Sequence, residues 1–105
     1  MGIGIDIVDM RRISDIARFA EGILSDRELA LLANKKDKLT FVAGRFAAKE
    51  AFMKALGQGL DQISLKHIEV LYRGPNQAPF VLYKNVEYDV SIAHDGDYAV
   101  ATVCI

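Results

Sequence analysis

Residues Phe41 to Gly59 read FVAGRFAAKEAFMKALGQG, a helix-length stretch that is apolar almost all round yet carries Arg45, Lys49, Glu50 and Lys54. A helix of this character is buried, and an unpaired buried charge costs far more than a lost apolar contact. The stretch therefore predicts one long buried helix with polar groups of another segment set against it. At about 100° per residue, Gly44, Ala47, Ala48, Ala51 and Ala55 fall on one side, a small-residue face that lets another backbone approach closely. The larger and charged side chains share the other side, with Arg45 one turn from Lys49, Glu50 one turn from Lys54, and Phe46 and Met53 flanking Glu50. The plainest account of Glu50 and Lys54 is a solvated pair worth roughly a few tenths of a kcal/mol.

Downstream, Gly57 is a natural C-terminal stop and Gly57-Gln58-Gly59 a turn, after which the period changes from helical to strand. Ile68–Tyr72 and Pro79–Lys84 read as strands joined by the turn formers between Arg73 and Ala78. Asp89–His94 and Tyr98–Ile105 read as a second hairpin, with Asp95-Gly96 as its turn. Upstream lies a basic loop, Asn34 to Lys38, preceded by a short helix whose start is marked by the Ser25/Glu28 capping box. Before that, Asp9 is expected to cap a helix from about Met10 to Ala20, with Ile13, Ile16, Ala17 and Ala20 inward and Arg11, Arg12 and Arg18 outward. Gly2 to Val8 alternate as a strand, Ile3, Ile5 and Ile7 on one face and Gly4, Asp6 and Val8 on the other. The fold class is α+β: a leading strand, a helical middle containing one long buried helix, and an antiparallel β meander.

The 105 residues predict a single domain spanning 1–105, whose core is small enough that oligomerisation is expected to complete it. A net charge of -1 argues against a general nucleic-acid binder. The charge is uneven, however: Lys35, Lys36, Lys38, Arg45, Lys49 and Lys54 cluster against only Asp37 and Glu50, while residues 86–105 contain no Lys or Arg. Such a patch suits a phosphorylated ligand, and a solvated charged face is the alternative. The lone Cys104 excludes an intrachain disulfide or a thiolate metal site, which fits a reducing cytoplasm. The N-terminus has its charges after a short apolar run, and no run reaches the roughly 20 apolar residues of a membrane span, so neither export signal nor membrane helix is expected.

Asp6 and Glu50 are the carboxylates suited to Mg²⁺, a hard ion that uses one or two carboxylates and fills its other positions with water and substrate phosphates. The alternative is that Asp6 merely ends a strand and Glu50 pairs with Lys54. His94, at a hairpin turn beside Asp95, is placed to contact an anion or move a proton, although surface histidines without a role are common. Ser91, His94 and Asp95 lie too close on one strand to form a hydrolytic triad. GIGID and GQG lack the strand, glycine loop and helix order of a dinucleotide or P-loop site.

Three segments in order, GIGIDIVDMRRI (2–13), FVAGRFAAKEAFMKALGQGL (41–60) and VSIAHDGDYAVATV (90–103), resemble the bacterial holo-acyl-carrier-protein synthase family of 4′-phosphopantetheinyl transferases. The resemblance implies that fold and an enzyme that moves the 4′-phosphopantetheine arm of coenzyme A onto a serine of apo-acyl carrier protein. The other product would be adenosine 3′,5′-bisphosphate, and the reaction would support fatty acid biosynthesis. Asp6 and Glu50 match the family's Mg²⁺ ligands, and Glu50 and Lys54 its catalytic positions, Lys54 beside the pyrophosphate. Arg45 and His94 match positions near the adenosine end, with Lys36 and Lys38 of the basic loop facing the 3′-phosphate. Arg12 and Arg18, with Met10 and Phe19 as apolar neighbours, match the surface that engages the acidic helix of the carrier protein. The family also implies a homotrimer with active sites shared between subunits. Asp95 stands where some relatives carry a hydroxyl residue. The rival reading is a non-enzymatic module that holds an acidic protein or a nucleotide on the same basic surface.

Overall fold

In the computed structural model, which describes residues 2–59 and 61–105, the leading strand forms over Ile3–Asp9 (β1) and lies directly on the long helix, Lys38–Leu56 (α3). Leu60, the last residue of the central segment, lies outside the described residues. The small-residue face makes this approach possible: a Cβ built on Gly4 would stand 1.8 Å from the Ala51 carbonyl oxygen, so only glycine fits there. Asp37 caps α3 by accepting from Thr40 N at 3.1 Å, and Gly57 ends it in the left-handed conformation at φ +71°.

The strands Glu69–Arg73 (β2), Ala78–Tyr83 (β3), Val86–Asp95 (β4) and Tyr98–Cys104 (β5) form the expected antiparallel meander, and β1 joins it beside β5. The sheet order is β1-β5-β4-β3-β2, so the first strand and the first meander strand are its edges. Val42, Ala43, Ala47, Ala48, Ala51 and Phe52 of α3 are fully buried, as are Val70, Val81, Ala99 and Val103 of the sheet. The α+β class read from the sequence is the observed one.

Three expectations need correction. The helix expected over Met10–Ala20 is two pieces: a 3-10 turn at Met10–Arg12 capped by Asp9, and a helix at Ile16–Ile23 (α1) capped by Asp15. Two caps in close succession interrupt the run, and Met10 N is held by the Asp97 carbonyl at 2.7 Å, which ties the turn to the sheet. Ala17, expected inward, is consequently exposed, and Ala20 and Ile23 are the buried residues of α1. β4 begins at Val86 rather than Asp89, because Lys84 and Asn85 adopt positive φ (49° and 64°) and form a tight two-residue turn from β3. The next turn is displaced by one residue: Asp95 closes β4 and Gly96, at φ +56°, begins the reversal.

The alternation of β1 is as expected, but its isoleucines face outward. Ile3, Ile5 and Ile7 are 70%, 59% and 64% exposed, while Gly4 and Val8 are buried against α3. An apolar row on an edge strand is a surface that ordinary monomers avoid.

Candidate active site

The polar partner that α3 needs comes from the second short helix, Asp26–Leu32 (α2). Glu28 completes the capping box with Ser25 as expected, and it also receives Lys49 Nζ on Oε1 at 2.5 Å. Both side chains have no exposure. Lys49 further donates to the carbonyls of Ile23 (2.6 Å) and Leu65 (3.0 Å), and Val70 N donates to Glu28 Oε2 at 3.0 Å. Burial pulls the Lys49 ammonium down from its ordinary pKa and the Glu28 charge opposes that pull. This pair joins α2, α3 and β2, and it settles the rotation of α3 that aims the next residue, Glu50, the other way.

On that opposite flank, β1 and α3 bring Asp6, Glu50 and Lys54 together. Lys54 Nζ donates to Asp6 Oδ1 and to the Ile5 carbonyl, each at 3.0 Å. Among the described residues no Glu50–Lys54 ion pair forms, so the solvated helix pair is not what these charges do. Glu50 is half-buried, and its carboxyl is held above the ordinary range by burial and by the Asp6 charge, with Lys54 opposing. A half-buried carboxylate whose proton affinity is raised partly by a second one beside it is a donor set a hard cation would relieve. Two carboxylates match the number that Mg²⁺ commonly takes from a protein when water and phosphate fill its other positions.

A groove of about 320 Å³ runs from Asp6 along the end of β1, with Arg12, Phe19 and Phe46 among its other walls. It opens beside a second groove lined by Arg12, Ile13, Arg18, Phe19, Gly22 and Ile23. Arg12 and Arg18 are exposed and form no ion pair among the described residues. Arg11 differs: it is held by Asp9 at 3.0 Å and by Asp97 at 3.6 Å. Phe19 is half-buried and meets Phe46 edge-on at 5.0 Å. Met10 is a correction: at 6% exposure it belongs to the core under β1 and cannot meet a partner, which leaves Phe19 as the apolar residue of that surface.

The residues expected at the adenosine end lie elsewhere. Arg45 is five positions from Glu50, hence about 140° away around the helix. It is 5% exposed, stacked with its guanidinium carbon 3.9 Å from the Phe41 ring centroid and 4.8 Å from that of Tyr72. Its Nε and Nη2 are buried without a hydrogen-bond partner, and burial lowers its pKa. Lys36 is exposed, whereas Lys38 Nζ is occupied by the carbonyls of Leu32 (2.8 Å), Lys35 (3.2 Å) and Ala33 (3.4 Å), closing the end of α2. His94 is exposed at the end of β4 and its charge is felt by Asp37 at the start of α3, whose pKa is lowered first by its Thr40 hydrogen bonds. One chain thus gathers the carboxylate cluster with the Arg12 groove and keeps Arg45 on a separate flank. Tyr72 and the Glu28–Lys49 pair carried no local signal of these roles, since each contact spans distant segments.

The sequence profile of the 4′-phosphopantetheinyl transferase superfamily matches residues 2–103. The chain is 41% identical to the holo-[acyl-carrier-protein] synthase of Oceanobacillus iheyensis, covering 99% of this chain and 94% of the relative. It is 42% identical to that of Bacillus subtilis, covering 99% and 93%. Among solved structures, the fold superposes with a TM-score of 0.85 on a Bacillus anthracis holo-(acyl-carrier-protein) synthase in complex with CoA (3′,5′-ADP), at 40% identity over 97% of this chain and 92% of that one. The Helicobacter pylori holo-[acyl-carrier-protein] synthase in complex with coenzyme A gives 0.82 at 35% identity, covering 96% of each. Sequence agreement along almost the whole length, joined to the same arrangement of helices and sheet, makes this chain a member of the 4′-phosphopantetheinyl transferase superfamily.

Proposed function

We propose that this chain transfers the 4′-phosphopantetheine arm of coenzyme A to a serine of an apo-acyl carrier protein and releases adenosine 3′,5′-bisphosphate. The observation that carries the reading is the groove that leads from Asp6 to Arg12 and Phe19, because it joins the carboxylate cluster to an exposed basic surface. The serine oxygen forms a bond to the phosphorus nearer the pantetheine, the bond from that phosphorus to the bridging oxygen breaks, and the serine proton departs. Asp6 and Glu50 would hold Mg²⁺, which supplies neutralisation of the pyrophosphate charge. Lys54, more than half exposed and already beside Asp6, is placed to steady the same charge. Glu50, or a water that it orients, would receive the serine proton.

Arg12, Arg18 and Phe19 orient the acidic carrier protein, a role that steers association more than it adds affinity. Arg45, Lys36 and His94 serve the adenosine end. Their separation from Glu50 supports a site completed by a neighbouring copy, and the exposed Ile3, Ile5 and Ile7 row supports a homotrimer that buries it. The setting is the cytoplasm, and the use is fatty acid biosynthesis; no helix among the described residues is long and apolar enough to cross a membrane. Chromatographic release of adenosine 3′,5′-bisphosphate tests the reaction: it is expected only when coenzyme A, Mg²⁺ and apo carrier protein are all present. Release without the carrier protein, or none at all, contradicts it.

A further inference from the structure

Two ammonium groups of α3 are held in opposite ways. Lys49 has no exposure and gives its N–H bonds to Glu28 and to the carbonyls of Ile23 and Leu65, which leaves it no freedom. The Lys54 side chain is 57% exposed and holds Asp6 Oδ1 and the Ile5 carbonyl, each at 3.0 Å. A groove of about 340 Å³, lined by Ile5, Asp6, Ile7, Lys54 and Val100, opens beside it and gives the side chain room to swing. An exposed ion pair of this kind is weak and exchanges readily. The two oxygens it occupies, one of a carboxylate and one of a backbone carbonyl, are hard donors of the type that Mg²⁺ or Mn²⁺ takes. Asp6 Oδ1 cannot serve both the ammonium and a divalent ion without placing two cations side by side. The Lys54 charge is felt at Glu50 as well, so it offsets both carboxylates of the cluster. What would draw Lys54 off is a group with more negative charge than Asp6 and several oxygens to offer, and the pyrophosphate of coenzyme A is such a group.

Resting on the coenzyme A reading above, we propose that Lys54 is a placeholder cation: it covers Asp6 Oδ1 until the pyrophosphate of coenzyme A draws it away, so that the divalent ion binds this chain tightly only together with that substrate. Lys54 thereby works twice, first holding the divalent ion off Asp6 and then steadying the pyrophosphate. Because linked binding is reciprocal, the ion and coenzyme A tighten one another by the same factor, and part of that factor is the release of Lys54 from Asp6.

The test uses Mn²⁺ as the probe, its unbound fraction counted by electron paramagnetic resonance in solutions of the full chain with and without coenzyme A. Lys54→Met keeps the stem and removes the charge, so without coenzyme A it should bind Mn²⁺ about tenfold more tightly than the unaltered chain. Lys54→Arg keeps the cation and should stay within about twofold of the unaltered chain. Coenzyme A should tighten Mn²⁺ on the unaltered chain by about tenfold more than on Lys54→Met. Adding Asp6→Asn to Lys54→Met should abolish the gain, because the gained ion sits on Asp6. Lys54→Gln repeats the measurement if Lys54→Met fails to fold. Mn²⁺ affinity in the folded, uncharged variant that is no higher than in the unaltered chain overturns the placeholder role and leaves the transferase reading standing, and so does a gain that survives Asp6→Asn. A chain that shows the gain and the coupling yet transfers nothing to a carrier protein keeps the placeholder and overturns the transferase reading.

Discussion

Lys54 Nζ reaches Asp6 Oδ1 at 3.0 Å across 48 positions of chain, and leaves Glu50, one turn before it on α3, without an ion pair among the described residues. The helix spacing offers the local partner, and the close seat of β1 on the small-residue face supplies the distant one. Glu50 is thereby left beside a second carboxylate, which is a poor arrangement for stability alone and a good one for holding a cation.

The cost to the fold and the benefit to the reaction make opposite demands at Glu50, and that opposition is measurable. Its folded pKa is raised above the ordinary glutamate value by burial and by Asp6. A raised carboxyl contributes stability that is full below the unfolded pKa and is lost as pH rises through the folded value. At neutral pH, Glu50→Gln should therefore raise the melting temperature measured without Mg²⁺, and in assays with Mg²⁺ it should cut turnover by about 10²–10³-fold. Asp6→Ala should lose activity to a similar degree with the circular dichroism spectrum intact. Near-normal turnover in either variant would remove the proposed metal site.

The Glu28–Lys49 pair predicts a different signature, one of stability. Each side chain has no exposure, so removing one charge strands the other in the core. Lys49→Met or Glu28→Gln should each cost about 3–5 kcal/mol in urea unfolding, and the double variant should cost clearly less than their sum. Additive losses would mean that the two charges do not act as a pair.

How much of this was legible in the chain follows from the range of each contact. The small-residue face and Gly57 announced α3 because both are properties of one helix. The Ser25/Glu28 capping box was equally local, but the second use of Glu28 depends on Lys49 and Val70, 21 and 42 positions away. Alternation in β1 separated Gly4, Asp6 and Val8 from the isoleucines; which row faces inward was decided by the backbone contact of Gly4 with Ala51. Lys84 and Asn85 hid a turn because a lysine at positive φ is not a turn signal. Met10 reads as a surface residue only while the helix is taken to start there. Once Asp9 and Asp15 split that helix, Met10 points into the core.

The outward isoleucines give the oligomer its test. Ile5 is 59% exposed, so Ile5→Lys leaves the core of the single chain untouched. It should nevertheless shift the sedimentation profile from trimer to monomer and reduce activity per subunit by about tenfold or more, since association and the assembled site are linked. Equal activity in a demonstrated monomer would show that one chain suffices.

Carrier-protein docking separates two adjacent arginines. Arg11 is bound to Asp9 and Asp97, whereas Arg12 is exposed and unpaired among the described residues. Arg12→Glu should raise KM for the carrier protein by about tenfold and flatten its salt dependence, with coenzyme A affinity unchanged. Arg11→Ala should change that KM by less than about twofold. Loss of coenzyme A binding in Arg12→Glu would assign the groove to the nucleotide instead.

The central claim is that the cluster of Asp6, Glu50 and Lys54 performs transfer rather than merely holding a ligand. Intact mass of an apo carrier protein, after incubation with this chain, coenzyme A and Mg²⁺, tests it most directly. The carrier protein should gain about 340 Da, the mass of the phosphopantetheine arm, with no gain when Glu50→Ala replaces the unaltered chain. A stable complex of chain, coenzyme A and carrier protein in which the carrier's mass does not change would contradict the account and identify a binding module in place of an enzyme.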